Sequence, residues 1–240
     1  MEQFVEHIYS QLKDCRYITV EKCEKLYLYA VMINETNKKF NLSGHKNLES
    51  IVTDLIINSV IPVKSLSVPR GTTFIDIGTG SGIPGVVLSV VFDEINGTLI
   101  DSNEKKIEFI NSVKSRLCLD NLTAEAARAE DFVSERRDMF DFCFTRAFGP
   151  LYYSAEFAFP ALKEGGYLYI YSHLTEKILN NRLKQHFKVL GGDFSEKETY
   201  DRLGLVTGIL CEKINSTPMK YPRRFAVIKR EAAKIPETES

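Results

Sequence analysis

Several features that mark special classes of protein are missing from this sequence. No apolar run approaches the roughly 20 residues that a membrane-spanning helix needs, and Met1-Glu2-Gln3 lacks the basic-then-apolar start of a secretion signal. The five cysteines form no Cys-x-x-Cys pair, which argues against a zinc site and a thioredoxin-like site. The net charge of −1 excludes a global attraction to nucleic acid, so any RNA binding has to come from a local patch. We therefore expect a cytoplasmic protein with reduced thiols.

Several catalytic signatures are absent as well. No Gly-Lys-Ser/Thr follows the glycine-rich stretch, which excludes a P-loop. There is no Pro-Cys pair, and Cys143 lies between Phe142 and Phe144 in a predicted strand, so methylation of cytosine C5 through a cysteine lacks its nucleophile. The Asn/Asp-Pro-Pro-Tyr signature of amino-group methylation and any cluster of metal ligands are also missing. We predict no metal and no catalytic side chain, and we assign no catalytic role to His45 or His173.

What is present is the composition of an ordinary globular protein, with 44% hydrophobic and 26% charged residues. A chain of 240 residues is long enough for one sizeable core and a smaller appendage. Residues 1–70 carry apolar residues at helical spacing, with Thr19 and Asn47 as candidate N-caps and Tyr27 on the predicted buried face of the second helix. We predict a helical cap packed on the core over 1–70 and the main domain over 71–240.

The most informative stretch runs from Phe74 to Val87. Its first four residues are a short apolar run with one acid, typical of a buried strand of a parallel sheet. Glycines follow at positions 78, 80 and 82, and Pro84 suits the first turn of a helix. We predict a strand, a glycine loop and a helix, with Gly85 packing that helix closely on the preceding strand. Such a loop typifies nucleotide sites, because backbone N–H groups point at the ligand.

Two aspartates near the glycine loop favour S-adenosylmethionine over a dinucleotide as the cofactor. The residues from Gly80 to Gly85 formally fit the dinucleotide pattern G-x-G-x-x-G, so NAD remains an alternative. Asp76 ends the first strand, where a carboxylate suits the amino group of S-adenosylmethionine better than a pyrophosphate. Asp101 ends a second predicted strand about 20 residues past the glycine loop, where a carboxylate accepts the ribose hydroxyls. The alternative for Asp101 is a helix N-cap, although Ser102 or Asn103 could fill that role instead.

From residue 72 onward strands and helices alternate, which predicts an α/β fold with a mostly parallel sheet and helices on both faces. The predicted helices cover residues 104–117, 151–162 and 175–187, and Gly165-Gly166 is expected to close the second of them. The predicted strands cover 98–101, 122–127, 141–144 and 167–171, with terminal strands near 188–190 or 195–200 and near 225–228.

The chain resembles the bacterial RsmG/GidB family. The matching stretches are Asn37-Lys-Lys-Phe-Asn-Leu-Ser43, the run from Asp76 to Gly85, Leu99-Ile-Asp-Ser102 with Lys105-Lys106, Arg128-Ala-Glu130, Phe140-Asp141 leading to Arg146-Ala147, and Lys220-Tyr-Pro-Arg223. The resemblance implies a Rossmann-like class I methyltransferase fold with a seven-stranded sheet and an N-terminal helical segment. It also implies S-adenosylmethionine-dependent methylation of guanine N7 in 16S ribosomal RNA.

The resemblance implies seven cofactor-binding residues. Gly78, Gly80 and Ile83 would line the methionine and adenosine side, and Asp101 would hold the ribose. The remaining three are Ala129 and Glu130 along the adenine and Arg146 at the reacting end. For Arg146 the alternative is an ion pair with Asp138 or Asp141.

The expected partner is 16S rRNA or the small ribosomal subunit, bound by a monomer without metal or membrane. Three groups of cations are candidates for RNA contact. They are Lys38 and Lys39; Lys177, Arg182, Lys184 and Lys188; and Lys220, Arg223, Arg224, Lys229, Arg230 and Lys234, with Tyr221 and Phe225 among the last group.

Two family elements are absent. A His-x-x-Asp-Ser motif is replaced by the run from Asp54 to Ser59, and Lys-Gly after the fifth strand is replaced by Ser172-His173. Methylation of another RNA or a small molecule therefore stays open, as does a non-catalytic RNA-binding protein of ribosome assembly that retained the cofactor pocket.

Overall fold

The structure is a computed structural model that describes residues 1–64, 68–171, 181–193 and 208–235. The chain divides into two compact units. The first comprises Met1–Thr72 and Thr79–Ala126, and the second comprises Thr73–Gly78 and Ala127–Ser240.

Helices and strands alternate through most of the chain. The helices are α1 (Glu2–Leu12), α2 (Val20–Asn37), α3 (Leu48–Ser50), α4 (Asn58–Val60), α5 (Gly85–Val91), α6 (Glu104–Leu117), α7 (Ala129–Glu135), α8 (Leu151–Ala161), α9 (Asn181–Val189) and α10 (Phe225–Ala232). The strands are β1 (Thr73–Ile77), β2 (Asn96–Asp101), β3 (Leu122–Ala126), β4 (Phe140–Arg146), β5 (Leu162–Tyr171), β6 (Gly192–Asp193) and β7 (Gly208–Lys213).

Within the described residues, the strands form one seven-stranded sheet in the order β3-β2-β1-β4-β5-β7-β6. The pairs β2–β3, β1–β4 and β4–β5 are parallel, whereas β7 runs antiparallel to both β5 and β6. The sheet confirms the predicted α/β class with a mostly parallel sheet.

In the first unit both predicted helix caps are confirmed. Thr19 Oγ1 accepts from the Lys22 N–H at 3.2 Å, and Asn47 Oδ1 accepts from the Ser50 N–H at 2.8 Å. The buried tyrosine of α2 is Tyr29, so the assignment of Tyr27 to the buried face was wrong. The helix α2 packs against α5 and α6 of the same unit.

The third predicted helix is not one regular α-helix. It consists of α3, a π-helix over Ile51–Ile57, α4 and a 3-10 turn over Ile61–Val63. The predicted apolar face is nevertheless confirmed, because Ile51, Val52, Leu55 and Ile56 are buried whereas Thr53 is exposed.

In the second unit the predicted role of two glycines was wrong at strand β5. Gly165 and Gly166 lie inside β5 and do not close α8. The register of the β4–β5 pair shifts between Phe140 and Phe142, which leaves extra residues on β5. Gly165 has φ +78°, and a Cβ on Gly166 would lie 2.9 Å from the carbonyl oxygen of Lys163. At this irregularity of the strand pair Gly165 therefore supplies a left-handed backbone conformation, and Gly166 fits where a side chain has no room.

The C-terminal strands were also predicted at the wrong places. Lys188 and Val189 end α9, and Leu190 lies in the turn after it. Residues 225–228 begin α10, whose buried Ile228 and Ala232 are spaced four apart as in a helix. Strand β7 was missed. The predicted strand at 195–200 and the predicted helical residues 175–180 lie outside the described residues, as do His173 and Lys177.

Candidate functional site

The glycine loop of the first unit is tied to the end of strand β2 by backbone donors. The Thr79 N–H donates to the carbonyl oxygen of Ile100 at 3.0 Å, and the Gly80 N–H donates to Asp101 Oδ2 at 3.0 Å. Gly80 and Gly82 have φ values of +61° and +95°, which favour glycine. The structure thus brings two predicted site residues, Gly80 and Asp101, into direct contact.

Asp101 is only 8% exposed and serves several donors. Its Oδ1 accepts from the Asn103 N–H at 2.9 Å. Its Oδ2, which accepts from the Gly80 N–H, also lies 3.4 Å from Lys106 Nζ. The N-cap of α6 is Asn103, whose Oδ1 accepts from the Lys105 N–H at 3.0 Å, so the N-cap alternative for Asp101 was wrong. A carboxylate offers about four lone-pair sites. Asp101 therefore orders the loop and has acceptor capacity beyond its three donors.

Tyr29 fixes the same loop from the helical segment, and sequence reasoning missed it. Its hydroxyl donates to the carbonyl oxygen of Ser81 at 2.6 Å. A Cβ on Gly82 would lie 2.8 Å from this hydroxyl and 2.7 Å from Val86 Cγ2, so only glycine fits there. Ile83, the next residue of the loop, is buried. The sequence does contain a signal for this contact: a tyrosine on the buried face of a helix needs a hydrogen-bond partner for its hydroxyl.

Gly85 is the first residue of helix α5 and packs closely against a strand, but not against the strand that the sequence predicted. A Cβ at this position would lie 2.6 Å from Leu99 Cγ, a side chain of β2. The expected packing on the preceding strand was wrong, since the nearest neighbour belongs to the following strand.

In the second unit Gly78 directly follows strand β1 and lies against an aromatic ring. Its φ is +70°, and a Cβ would lie 2.1 Å from Phe148 Cδ2. Asp76, two residues earlier, is fully buried and lies opposite Phe144 in the β1–β4 register. Any larger residue at position 78 would displace the Phe148 ring.

Ala129 and Glu130 form the first turn of α7. Glu130 Oε1 lies 3.3 Å from the Arg128 guanidinium, which itself lies 5.6 Å from the ring of Phe225. The Glu130 carboxylate is thus held near the start of the helix by a neighbouring cation.

Arg146 is the last residue of β4. Its guanidinium carbon lies 5.7 Å from the ring centre of Tyr171, its partner in the β4–β5 register. The two acids considered as alternative partners both bind lysines, Asp141 to Lys163 at 2.7 Å and Asp138 to Lys213 at 2.5 Å. The ring of Tyr171 supports the Arg146 side chain at the end of the strand.

A buried ionic cluster links α8, α9 and the segment before α10. Glu156 is fully buried, and its two oxygens accept from Nε and a terminal nitrogen of Arg223 at 2.8 Å each. His186 Nε2 lies 3.2 Å from Glu156 Oε2, and the imidazole stacks on Tyr152 with ring centres 3.6 Å apart. Burial opposes ionisation of Glu156, but the hydrogen bonds from the Arg223 guanidinium and the nearby His186 imidazole outweigh it and lower its pKa to about 2.

We therefore interpret Arg223 as a structural cation, and the RNA contact that the sequence suggested for it stays an untested prediction. Its terminal nitrogen also donates to the Tyr152 hydroxyl at 2.9 Å. The other basic residues of this segment are exposed: Lys220, Arg224, Lys229, Arg230 and Lys234. Without Arg223, the exposed basic residues of this segment lie on α10 and beside it. Arg182 of α9 donates to the carbonyl oxygen of Lys234 at 3.3 Å.

Cys143 is fully buried in β4. Burial raises the pKa of its thiol well above the ordinary value, which disfavours the thiolate.

Across the ranges 1–64, 68–171, 181–193 and 208–235, no three His, Cys, Asp or Glu side chains are grouped to hold a metal ion. Over those ranges, no helix combines the length and apolar character needed to cross a bilayer.

The GidB family model, described as rRNA small subunit methyltransferase G, matches residues 22–197. A Thermotoga petrophila protein named Ribosomal RNA small subunit methyltransferase G is 34% identical over 196 residues, covering 78% of this chain and 82% of that protein. A protein of the same name from Clostridium botulinum is 30% identical over 222 residues, covering 89% of this chain and 92% of that protein.

Solved structures show the same fold at low identity. A SAM dependent methyltransferase from Aquifex aeolicus superposes with a TM-score of 0.50 at 15% identity, covering 75% of this chain and 98% of that chain. A 16S rRNA (adenine(1408)-N(1))-methyltransferase variant from Catenulisporales acidiphilia, determined with SAM, gives 0.50 at 12% identity, covering 62% of this chain and 88% of that chain.

Proposed function

The chain belongs to the GidB family, rRNA small subunit methyltransferase G, and from this premise we propose that it methylates guanine N7 in 16S rRNA with S-adenosylmethionine. The family membership confirms the resemblance seen in the sequence motifs. The observation that carries the proposal is the hydrogen bond between the Gly80 N–H and the carboxylate of Asp101, because it joins the glycine loop to the acid after the second strand.

The residues of the first unit fit this cofactor. The backbone of Gly80 and Gly82 has the positive φ values that let a ligand approach the loop closely. Asp101 keeps acceptor capacity for about one ribose hydroxyl while it holds the loop. Ile83 supplies an apolar surface on the same loop. We propose that Gly80, Ile83 and Asp101 bind the cofactor through these groups.

For four residues of the second unit we propose a cofactor-binding role because of the family resemblance. They are Gly78, Ala129, Glu130 and Arg146. Gly78 provides a backbone position without a side chain, Ala129 and Glu130 provide the first turn of α7, and Arg146 provides a supported cation at the end of β4.

The proposed chemistry needs no catalytic base. S-adenosylmethionine supplies an electrophilic methyl group on a cationic sulfur, and guanine N7 has an in-plane lone pair that is free to attack. The chain's contribution is then orientation, which is worth several kcal/mol when the reacting atoms are held roughly 3 Å apart. The guanidinium of Arg146 has the planar fork that binds the O6 edge of a guanine or a phosphate. The buried, protonated thiol of Cys143 agrees with a route that lacks a covalent intermediate.

For RNA binding we propose the exposed cations beside and on α10. Arg224 precedes the helix, and Lys229 and Arg230 lie in its last turn. The bonds between Arg223 and Glu156 fix this segment to α8, so the cations are presented on a rigid support.

We also propose that residues 1–70 act as a helical cap, that residues 71–240 form the methyltransferase domain, and that the protein acts as a cytoplasmic monomer. The relatives' names support small-subunit rRNA as the substrate.

Two binding titrations and one transfer assay test this function. Calorimetry with S-adenosylhomocysteine and with NAD separates the two cofactor classes, and we expect binding of the first alone. Radiolabelled methyl transfer from S-adenosylmethionine to 16S rRNA and to assembled small subunits then tests the acceptor. Binding of NAD without S-adenosylhomocysteine would overturn the proposal.

A further inference from the structure

A polar cavity lies in the N-terminal helical segment, among residues that have no part in the proposed cofactor set. It measures about 410 Å³ and is formed by the end of α2 and the loop at 41–46. This volume falls within the range of small-ligand sites. The lining includes Asn34, Asn37, Lys38, Asn41, His45 and Lys46, and no described aspartate or glutamate belongs to it.

One side chain builds the loop that bounds the cavity. Asn37 Oδ1 accepts from the N–H groups of Leu42 at 3.1 Å and Ser43 at 2.8 Å. Its amide nitrogen donates to Ser43 Oγ at 2.9 Å and to the carbonyl oxygen of His45 at 3.0 Å. These four bonds use all the donors and acceptors of an asparagine amide. Asn37 is therefore a positioning residue, and the cavity is preformed.

His45 presents an unused nitrogen. Its Nε2 lies 3.5 Å from Asp54 Oδ2, whereas its Nδ1 is buried and has no hydrogen-bond partner among the described residues. When Nε2 carries the proton toward Asp54, Nδ1 is an acceptor that calls for a donor on a ligand. Buried polar atoms are rarely left without a partner, so this nitrogen points to a bound molecule.

We propose that this cavity binds one unpaired nucleotide of the RNA substrate, an inference that rests on the proposed function. The exposed Lys38 and Lys46 pair with its phosphate, since cations supply the affinity for nucleic-acid backbones. A base N–H or a 2′-hydroxyl donates to His45 Nδ1, and the amides of Asn34 and Asn41 offer both donors and acceptors to a base edge. Unpaired nucleotides are the usual targets of RNA recognition because their edges are accessible.

The chain offers a matched control, because Lys39 is exposed and adjacent to Lys38 but does not line the cavity. Filter binding of a full-length 16S rRNA transcript over a range of salt concentrations would compare Lys38→Gln, Lys46→Gln, His45→Asn and Lys39→Gln. We expect each of the first two variants to raise Kd about fivefold and to reduce the salt slope by about 0.7, the value for one phosphate of a single strand. His45→Asn should raise Kd without changing the slope. Lys39→Gln should change Kd by less than about twofold.

Calorimetry with S-adenosylhomocysteine should give the wild-type affinity for all four variants, which separates this proposal from the proposed function. If the wild type methylates the transcript but Lys38→Gln and Lys39→Gln bind it equally, the cavity is not an RNA subsite and the proposed function stands. If the wild type neither binds nor methylates the transcript or assembled small subunits, both proposals fall.

Discussion

Replacing Asp101 with alanine tests the centre of the proposed cofactor site. The change removes the acceptor of the Gly80 N–H at 3.0 Å and of the Asn103 N–H at 2.9 Å, together with the ion pair to Lys106. Both N–H groups are only partly buried and water can replace the lost acceptor, so the free energy of unfolding should fall by about 1–3 kcal/mol in all. Loss of hydrogen bonds to a charged group should weaken S-adenosylhomocysteine binding by a further ~1–3 kcal/mol, or roughly 5- to 150-fold.

Calorimetry and urea unfolding measure these two effects separately. Asp120→Ala is the control, since Asp120 is an exposed acid of the same unit. A ligand without ribose hydroxyls completes a double-mutant cycle with Asp101→Ala. If Asp101 holds the ribose, removing the hydroxyls weakens binding to the wild type but not to the variant. Unchanged affinity and unchanged stability in Asp101→Ala would refute both roles.

Three further predictions follow from contacts that the structure reveals. Tyr29→Phe removes the hydroxyl that binds Ser81 and should lower the stability by about 1 kcal/mol and weaken S-adenosylhomocysteine binding; equal urea midpoints would contradict this. The pKa of Glu156 is about 2 when folded and 4.5 ordinarily, so its contribution, on the order of 3 kcal/mol, is present above pH 4.5 and is lost as the pH falls toward 2. Glu156→Gln should flatten that part of the stability profile measured by circular dichroism, and an unchanged profile would argue against the ion pair. Arg224→Gln should weaken rRNA binding and its salt dependence without affecting stability, whereas Arg223→Gln should destabilise the fold; the reverse pattern would place the RNA contact at Arg223.

Local patterns predicted much of the fold. The helix over 104–117 has the predicted bounds, and both N-caps at Thr19 and Asn47 form as expected. The glycine loop and Asp101 were found because glycine spacing and a strand-ending acid are local signals with a direct physical meaning. Parallel pairing of the central strands followed from the alternation of strands and helices.

The errors arise where distant residues decide the structure. Residues 225–228 have strand-forming side chains, but packing of Ile228 and Ala232 makes a helix there. Arg223 was grouped with RNA-binding cations, because its partner Glu156 is 67 residues away in sequence. The same holds for Tyr29, whose bond to Ser81 spans 52 residues. Long-range partners of this kind leave no periodic signal in the sequence.

The most direct test of the central claim is mass mapping of modified bases in small-subunit rRNA from cells with and without the gene for this chain. The account predicts that one 7-methylguanosine disappears from 16S rRNA in the deletion strain and returns when the wild-type gene, but not the Asp101→Ala gene, is restored. An identical set of modified bases in both strains would contradict methylation of guanine N7 in 16S rRNA as the function of this protein.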